Sequence, residues 1–149
     1  MAADIEWNKD FFSNTFDLMW NDKPIGEIKV KSSTRSAYAE FNGKRYLFDS
    51  EGFFKRKTTI YSELDRKAIG LIEYRTWSHS AFFTLNGIRY KWKFNSLSYS
   101  RWSIIKDSGE MVIHSARTKK GVHRIIDEDE ELLLICGLVI ASKFRTYSF

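Results

Sequence analysis

Residues 132–141, within the stretch EELLLICGLVIASK, carry no charge and no strongly hydrogen-bonding side chain. A helix that is apolar on every side has to be surrounded by protein, and ten residues are too few for a bilayer, which needs about 20. Acidic residues gather before the run at 127–131, and Lys143 and Arg145 follow it, which is typical of the two ends of a helix. We therefore predict a fully buried helix over residues 132–141.

An internal repeat indicates what surrounds this helix. Residues 25–48 and 69–92 align without a gap at an offset of 44, and 9 of 24 positions are identical. Both copies carry an Asn-Gly pair, Asn42-Gly43 and Asn86-Gly87, between alternating polar and apolar runs. Asn-Gly is a strong signal for a two-residue β-hairpin turn, because both turn residues need positive φ. A third, partial copy is predicted over residues 102–127.

The alternation inside the repeat predicts antiparallel strands with one buried face. In RYKWKF (89–94), for example, the aromatic side chains share one face and the basic side chains share the other. Strands are predicted near 11–20, 24–31, 36–41, 44–49, 54–61, 67–75, 80–85, 88–94, 99–106, 110–116 and 121–126, with a last short strand over 144–149.

Eleven or twelve strands in a meander can close into a barrel, which removes exposed strand edges. A barrel of that size is too wide for its own side chains to fill, so the apolar helix is expected to occupy its interior. The predicted fold class is mainly β: a closed antiparallel barrel of about 11–12 strands around a buried hydrophobic C-terminal helix. We expect residues 1–149 to form a single domain of this kind.

Composition agrees with this interpretation. Hydrophobic residues make up 43% and aromatic residues 16% of the 149 residues, which excludes disorder and favours β-structure. A single cysteine, Cys136, excludes an intramolecular disulfide and favours a reducing compartment. The first residues lack the pattern of a secretory signal. We expect a monomeric, cytoplasmic protein without a transmembrane segment, able to associate peripherally with a membrane.

At this level of detail the chain resembles the tubby-like C-terminal superfamily, which includes tubby domains, LURP-one-related plant proteins and phospholipid scramblases. The resemblance rests on YKWKFNSLSYSRWSIIKDSGEMVIHSARTKKG (90–121) and on DEDEELLLICGLVIASK (127–143), which is similar to the acidic beginning and apolar helix of LURP-one-like members. It implies a twelve-stranded antiparallel barrel with a hydrophobic C-terminal helix through it. It also implies phosphoinositide binding, which tubby domains perform with Lys and Arg on the barrel surface.

Charge is expected to be distributed unevenly over such a barrel, because alternate loops of a meander lie at the same end. One end collects ten basic residues against only Asp49 and Glu51, whereas the other end is net negative. We call these ten residues the basic rim: Lys31, Arg35, Lys55, Arg56, Lys57, Arg75, Arg101, Arg117, Lys119 and Lys120.

Ten residues at this end are candidate ligands for an anionic headgroup: Lys31, Arg35, Lys55, Arg56, Lys57, Arg75, Trp77, Arg117, Lys119 and Lys120. Trp77 aligns with Ser33 of the first repeat copy and should lie at a loop tip. Aromatic rings beside Lys and Arg are typical of contacts with the headgroup layer. The alternative is that the charges are merely solvated and that the ring folds inward over the barrel mouth.

Motifs for catalysis are missing from the sequence. His79, His114 and His123 lack metal-ligand spacing, and there is no glycine-rich phosphate loop. We therefore predict no catalytic residue, no metal site and no cofactor. The predicted function is non-enzymatic recognition of anionic, phosphoinositide-like lipid headgroups through the basic rim. The alternative is a protein-interaction or scaffold domain with an acidic protein partner. Nucleic acid is disfavoured, because the aromatic side chains alternate inward.

Overall fold

The computed structural model describes residues 3–10, 13–30, 36–51, 57–75, 78–95, 100–125 and 127–147. Within these ranges there are twelve strands and one helix. In chain order they are β1 (Ala3–Lys9), β2 (Thr15–Trp20), β3 (Lys23–Val30), β4 (Ala37–Phe41), β5 (Lys44–Glu51), β6 (Lys57–Ser62), β7 (Ala68–Arg75), β8 (Ser80–Leu85), β9 (Ile88–Phe94), β10 (Arg101–Lys106), β11 (Met111–Arg117), β12 (Lys120–Ile125) and α1 (Glu128–Tyr147).

All twelve strands belong to one antiparallel sheet. Each strand from β1 to β11 pairs with its neighbours in sequence, and β12 pairs with β1, so that the sheet order is β11-β10-β9-β8-β7-β6-β5-β4-β3-β2-β1-β12. The sheet curls into a nearly closed barrel in which β11 and β12 are the two ends of the hydrogen-bonded order. The predicted fold, a mainly β barrel of antiparallel strands with one C-terminal helix, is confirmed.

The helix α1 fills the barrel as predicted. Residues 132–144 are all buried, which an apolar helix requires when a sheet surrounds it. Asp127 caps the helix, because its Oδ1 accepts a hydrogen bond from the Glu130 N–H at 3.0 Å and its carbonyl accepts one from the Glu131 N–H at 3.3 Å. The acidic stretch therefore begins the helix. No helix among the described residues is long and apolar enough to span a membrane.

One predicted strand does not form, and one strand of the barrel was not predicted. The last strand expected over 144–149 does not form, because α1 continues to Tyr147 and buries Phe144 inside the barrel. The twelfth strand is instead β1, which the prediction left out although its alternation buries Ile5 and Trp7. A helix of 20 residues is about 30 Å long, enough to run the full height of the barrel.

Positions that match in the two repeat copies have matching backbone geometry. Asn42 and Gly43 have φ values of 51° and 84°, and Asn86 and Gly87 have 49° and 82°, so both pairs form type I′ turns. Each turn begins with a bond from its Asn N–H to the carbonyl of a bulged residue, Ile25 at 2.8 Å and Ile69 at 3.1 Å. Both turns lie at the end of the barrel where α1 begins. That the two stretches form a repeated unit stays a prediction.

Candidate functional site

Six residues of the basic rim are described, and all six lie at the end of the barrel where α1 ends. They stand at the ends of strands or between them: Lys57 at β6, Arg75 at β7, Arg101 at β10, Arg117 at β11, Lys119 before β12 and Lys120 at β12. Lys31, Arg35, Lys55, Arg56 and the predicted loop-tip Trp77 lie outside the described residues. The part of the predicted site that is described is therefore brought to one end.

Two of these cations are cross-strand neighbours. Arg101 lies directly opposite Arg117 in the ladder between β10 and β11. Like charges in this position are unfavourable for a sheet. The Arg101 guanidinium is oriented by Ser115, to whose carbonyl its Nη1 donates at 3.4 Å. Ser115 itself sits in a β-bulge with a φ of 55°. This pair places two positive charges side by side at this end of the barrel.

Ion pairs in the described chain avoid the basic rim. They join Lys29 to Glu27, Lys44 to Glu131, Arg45 to Glu40 and Lys106 to Glu110. Four cations elsewhere on the barrel thus have carboxylate partners, whereas no rim cation has one among the described residues. The six described rim side chains are partly or largely exposed, so their charge is available to a ligand.

The basic surface continues from the rim down the outside of the barrel. Arg75, Arg89, Lys91 and Lys93 project outward from β7 and β9 and are all exposed; we call these four residues the cationic wall. Three of them surround the ring of Phe82 on β8, with Arg75 at 5.6 Å, Arg89 at 4.9 Å and Lys91 at 5.7 Å from its centroid. Cations at this distance from a ring face are attracted by its quadrupole.

Sequence reasoning missed most of the cationic wall. It placed the basic residues of RYKWKF on the outward face but counted only loop charges toward a site. The signal was the alternation itself, which requires Arg89, Lys91 and Lys93 to project from the same side of β9. The clustering of three cations around Phe82 could not be predicted, because it depends on the strand register. In that register Phe82 lies opposite Lys91 on one side and Glu73 on the other.

A chain of buried polar groups lies under the rim, inside the barrel. The ammonium of Lys143, only 2% exposed, donates to Ser50 Oγ at 2.7 Å. Ser50 is hydrogen-bonded to Thr58 at 2.8 Å, and Thr58 donates to the Tyr74 hydroxyl at 3.1 Å. These bonds join the last turns of α1 to β5, β6 and β7. A cation near a helix C-terminus also interacts favourably with the helix dipole.

Cysteine and histidine are the residue types most often used in catalysis, but the surroundings of Cys136 and His123 suit structural roles. Burial alone raises the pKa of the Cys136 thiol far above its ordinary range, so the thiol stays protonated. Burial lowers the pKa of His123, and the nearby Glu130 carboxylate, 3.9 Å away, partly opposes this shift. Among the described residues there is no group of three His, Cys, Asp or Glu side chains that could hold a metal ion.

Comparison with known proteins gives no relative from which a function could be transferred. No protein-family model, no curated protein and no solved structure matches this chain. Functional inference therefore depends on the geometry and charge described above.

Proposed function

We propose that this chain is a non-enzymatic binding module that recognises anionic, phosphoinositide-like lipid headgroups and associates peripherally with acidic membrane surfaces in the cytoplasm. The basic rim provides the contact, and the cationic wall extends it along one side of the barrel. We further propose kinship with the tubby-like superfamily, which is supported by twelve antiparallel strands around one axial helix.

The observation that carries this proposal is the collection of six described cations at one end of the barrel, all partly or largely exposed. None of these six rim cations has a carboxylate partner among the described residues, whereas Lys29, Lys44, Arg45 and Lys106 elsewhere on the barrel do. Arg101 and Arg117 even lie opposite each other. An anionic surface would supply the missing counter-charge, and each Lys or Arg near such a surface contributes about 1 kcal/mol of binding free energy.

Vesicle co-sedimentation tests the proposal. We expect binding to phosphatidylcholine vesicles only when they contain about 20% anionic phospholipid, with phosphoinositides as one arm and phosphatidylserine as the other. Binding should weaken as salt rises from about 0.1 M to about 1 M, because the Debye length falls from about 10 Å to about 3 Å. Stronger binding to phosphoinositide vesicles at equal surface charge would identify the headgroup rather than the charge as the ligand.

The rim variant replaces Arg117, Lys119 and Lys120 with Glu, and we expect it to lose about 100-fold or more in affinity, given about 1 kcal/mol per residue. The matched control replaces Lys23, Arg66 and Lys67 with Glu, which changes net charge equally at exposed positions of the opposite end. The proposal requires the control to bind as the parent does. Equal losses in both variants, or no binding by the parent to any acidic vesicle, would refute it.

A further inference from the structure

The barrel has one seam, between β11 and β12. These strands are consecutive and separated by only two residues, Thr118 and Lys119, yet they are the two ends of the sheet order and no ladder joins them. Backbone groups at the connection between β11 and β12 bond to other parts of the barrel instead. The Thr118 N–H donates to the Ser100 carbonyl at 3.0 Å, and the Arg117 carbonyl accepts the Trp7 indole N–H at 2.9 Å.

The register of β12 shows which of its backbone groups face the seam. The Lys9 N–H donates to the Lys119 carbonyl at 2.7 Å, so these residues form a hydrogen-bonded pair between β1 and β12. In an antiparallel ladder such pairs alternate with unbonded ones. Lys120, Val122 and Arg124 are therefore the unbonded positions, and they direct their N–H and C=O groups away from β1 toward the seam.

A groove of about 570 Å³ opens along this seam, a volume in the range of ligand-binding clefts. Beneath it the buried Trp7 indole packs directly against Gly121, where a Cβ would collide with the ring. Among the described lining residues, Arg101, Arg117 and Lys120 contribute three cations and Glu6 one carboxylate. The side chain of Val122, in the middle of the free edge, is 59% exposed.

We propose that this seam binds an extended acidic segment of a partner protein, which adds as a strand to the free edge of β12. The main chain of the segment pairs with the backbone of Lys120, Val122 and Arg124, and an acidic side chain meets Arg101, Arg117 and Lys120. Strand addition takes its affinity from main-chain bonds and its specificity from alternate side chains. Charge complementarity in the groove selects an acidic peptide over a basic one. The groove shares Arg101, Arg117 and Lys120 with the basic rim, but strand addition to β12 does not rest on lipid binding.

The probe is a fluorescein-labelled peptide of about eight alternating Glu and Val residues, long enough to cover the six residues of β12. We expect saturable binding by fluorescence anisotropy, and at least tenfold weaker binding of the same peptide with Lys in place of Glu. In the free protein the amides of Lys120, Val122 and Arg124 should exchange rapidly with deuterium, and the peptide should protect them. Rapid exchange that the peptide leaves unchanged would overturn the proposal, as would slow exchange in the free protein, because β11 and β12 would then be paired.

Val122→Pro is the selective variant, because it removes the seam-facing N–H, keeps every charge and leaves the bonds between β12 and β1 in place. Proline is tolerated on sheet edges where its position needs no ladder bond. Val122→Thr is the control that keeps the N–H. We expect the Pro variant to lose at least tenfold in peptide affinity while it keeps vesicle binding, thermal stability and the parent's far-UV spectrum.

The remaining outcomes also test the strand-addition proposal. Undiminished peptide binding by a folded Pro variant would refute strand addition. If the Pro variant does not fold, the same peptide with alternate backbone amides N-methylated replaces it, and undiminished binding of that peptide to the parent would refute the proposal. A dimer of the parent that the Pro variant abolishes in sedimentation would assign the seam to a second copy of this chain and overturn the acidic-peptide proposal.

Discussion

Gly137, in the middle of α1, lies against the indole ring of Trp102, so that a Cβ at this position would overlap two carbon atoms of the ring. Trp102 is fully buried, so the ring cannot move aside without disturbing its neighbours in the core. Here the helix approaches β10 closely enough that only glycine fits. We expect Gly137→Ala to lower the free energy of unfolding by about 1–3 kcal/mol, the usual cost of overpacking a core.

The sign of this effect is diagnostic, because Gly→Ala in a helix interior ordinarily stabilises by about 1 kcal/mol. Urea unfolding of the single variant, of Trp102→Phe and of the double variant completes a double-mutant cycle. The smaller Phe ring should relieve the collision, so the double variant should lose less than the sum of the two single losses. An Ala variant as stable as the parent would show that the helix does not contact β10 at Gly137.

Cys136 provides a second measure of how tightly the barrel encloses α1. Its thiol is fully buried, and burial raises its pKa so far that thiolate is negligible near neutral pH. We expect a thiol reagent such as dithiobis-nitrobenzoate to react with the native protein only at the rate of unfolding, and immediately in denaturant. Rapid labelling of the native protein at about pH 8, near the ordinary pKa of a free thiol, would contradict a sealed helix.

The position of α1 in the barrel could be predicted because the relevant signals are local. An uncharged run with acidic residues before it and basic residues after it specifies a buried helix and its direction. Its full length could not be predicted, because the sequence after Ala141 contains polar and charged residues and no longer shows the apolar run. The buried Lys143 illustrates this, since its hydrogen bond goes to Ser50, 93 residues away in sequence.

The two Asn-Gly turns allow a test in which packing plays no part. A side chain at Gly43 or Gly87 would meet no atom within 4 Å, so only the backbone conformation opposes substitution. With φ values of 84° and 82°, a β-branched residue is strained at either position. We expect Gly43→Val and Gly87→Val each to cost about 1 kcal/mol or more in unfolding free energy. Asn replacements should cost less, because Asn tolerates positive φ, and equal costs for Val and Asn would contradict the turn assignment.

Strand order illustrates the opposite case, in which the decisive contacts are not local. β1 contributes only Ile5 and Trp7 to the core, so its alternation is weak until its partners β2 and β12 are known. The seam is equally hidden in the sequence, because β11 and β12 resemble an ordinary hairpin. The Trp7 indole bonded to the Arg117 carbonyl connects residues 110 positions apart. Pairwise register, and not composition, determines these features.

His123 should make stability depend on pH. Its folded-state pKa is below the ordinary value of 6.5, because burial disfavours the imidazolium more than Glu130 favours it. Just below pH 6.5, the unfolded chain therefore binds more protons at His123 than the folded protein does. The contribution of His123 to stability is complete above this pH and declines as the pH falls toward the folded-state pKa. Urea unfolding between about pH 5 and pH 7.5 should show this decline, because His is the side chain whose ordinary pKa lies in that window.

Two substitutions distinguish the contribution of His123 to this pH dependence from that of other titratable groups. His123→Gln removes the imidazole, leaves a side chain that cannot be protonated, and should flatten the profile between about pH 5 and pH 6.5. Glu130→Gln removes the opposing charge and should steepen it. If the His123→Gln variant still loses stability over this window as the parent does, the pH dependence belongs to other groups.

The cationic wall determines how the barrel would lie on an acidic surface. If the wall shares the contact with the basic rim, Arg89→Glu with Lys91→Glu should weaken binding to anionic vesicles by about 30-fold, since each residue contributes about 1 kcal/mol. Lys23→Glu with Lys67→Glu is the control of equal charge change at the opposite end. Loss of the contacts with Phe82 should change the free energy of unfolding by no more than about 1 kcal/mol at an exposed site, which thermal unfolding will check. If the wall variant binds as the parent does while the rim variant does not bind, the barrel contacts the membrane only with its basic rim. The ring of Phe82 and its cations would then face solvent.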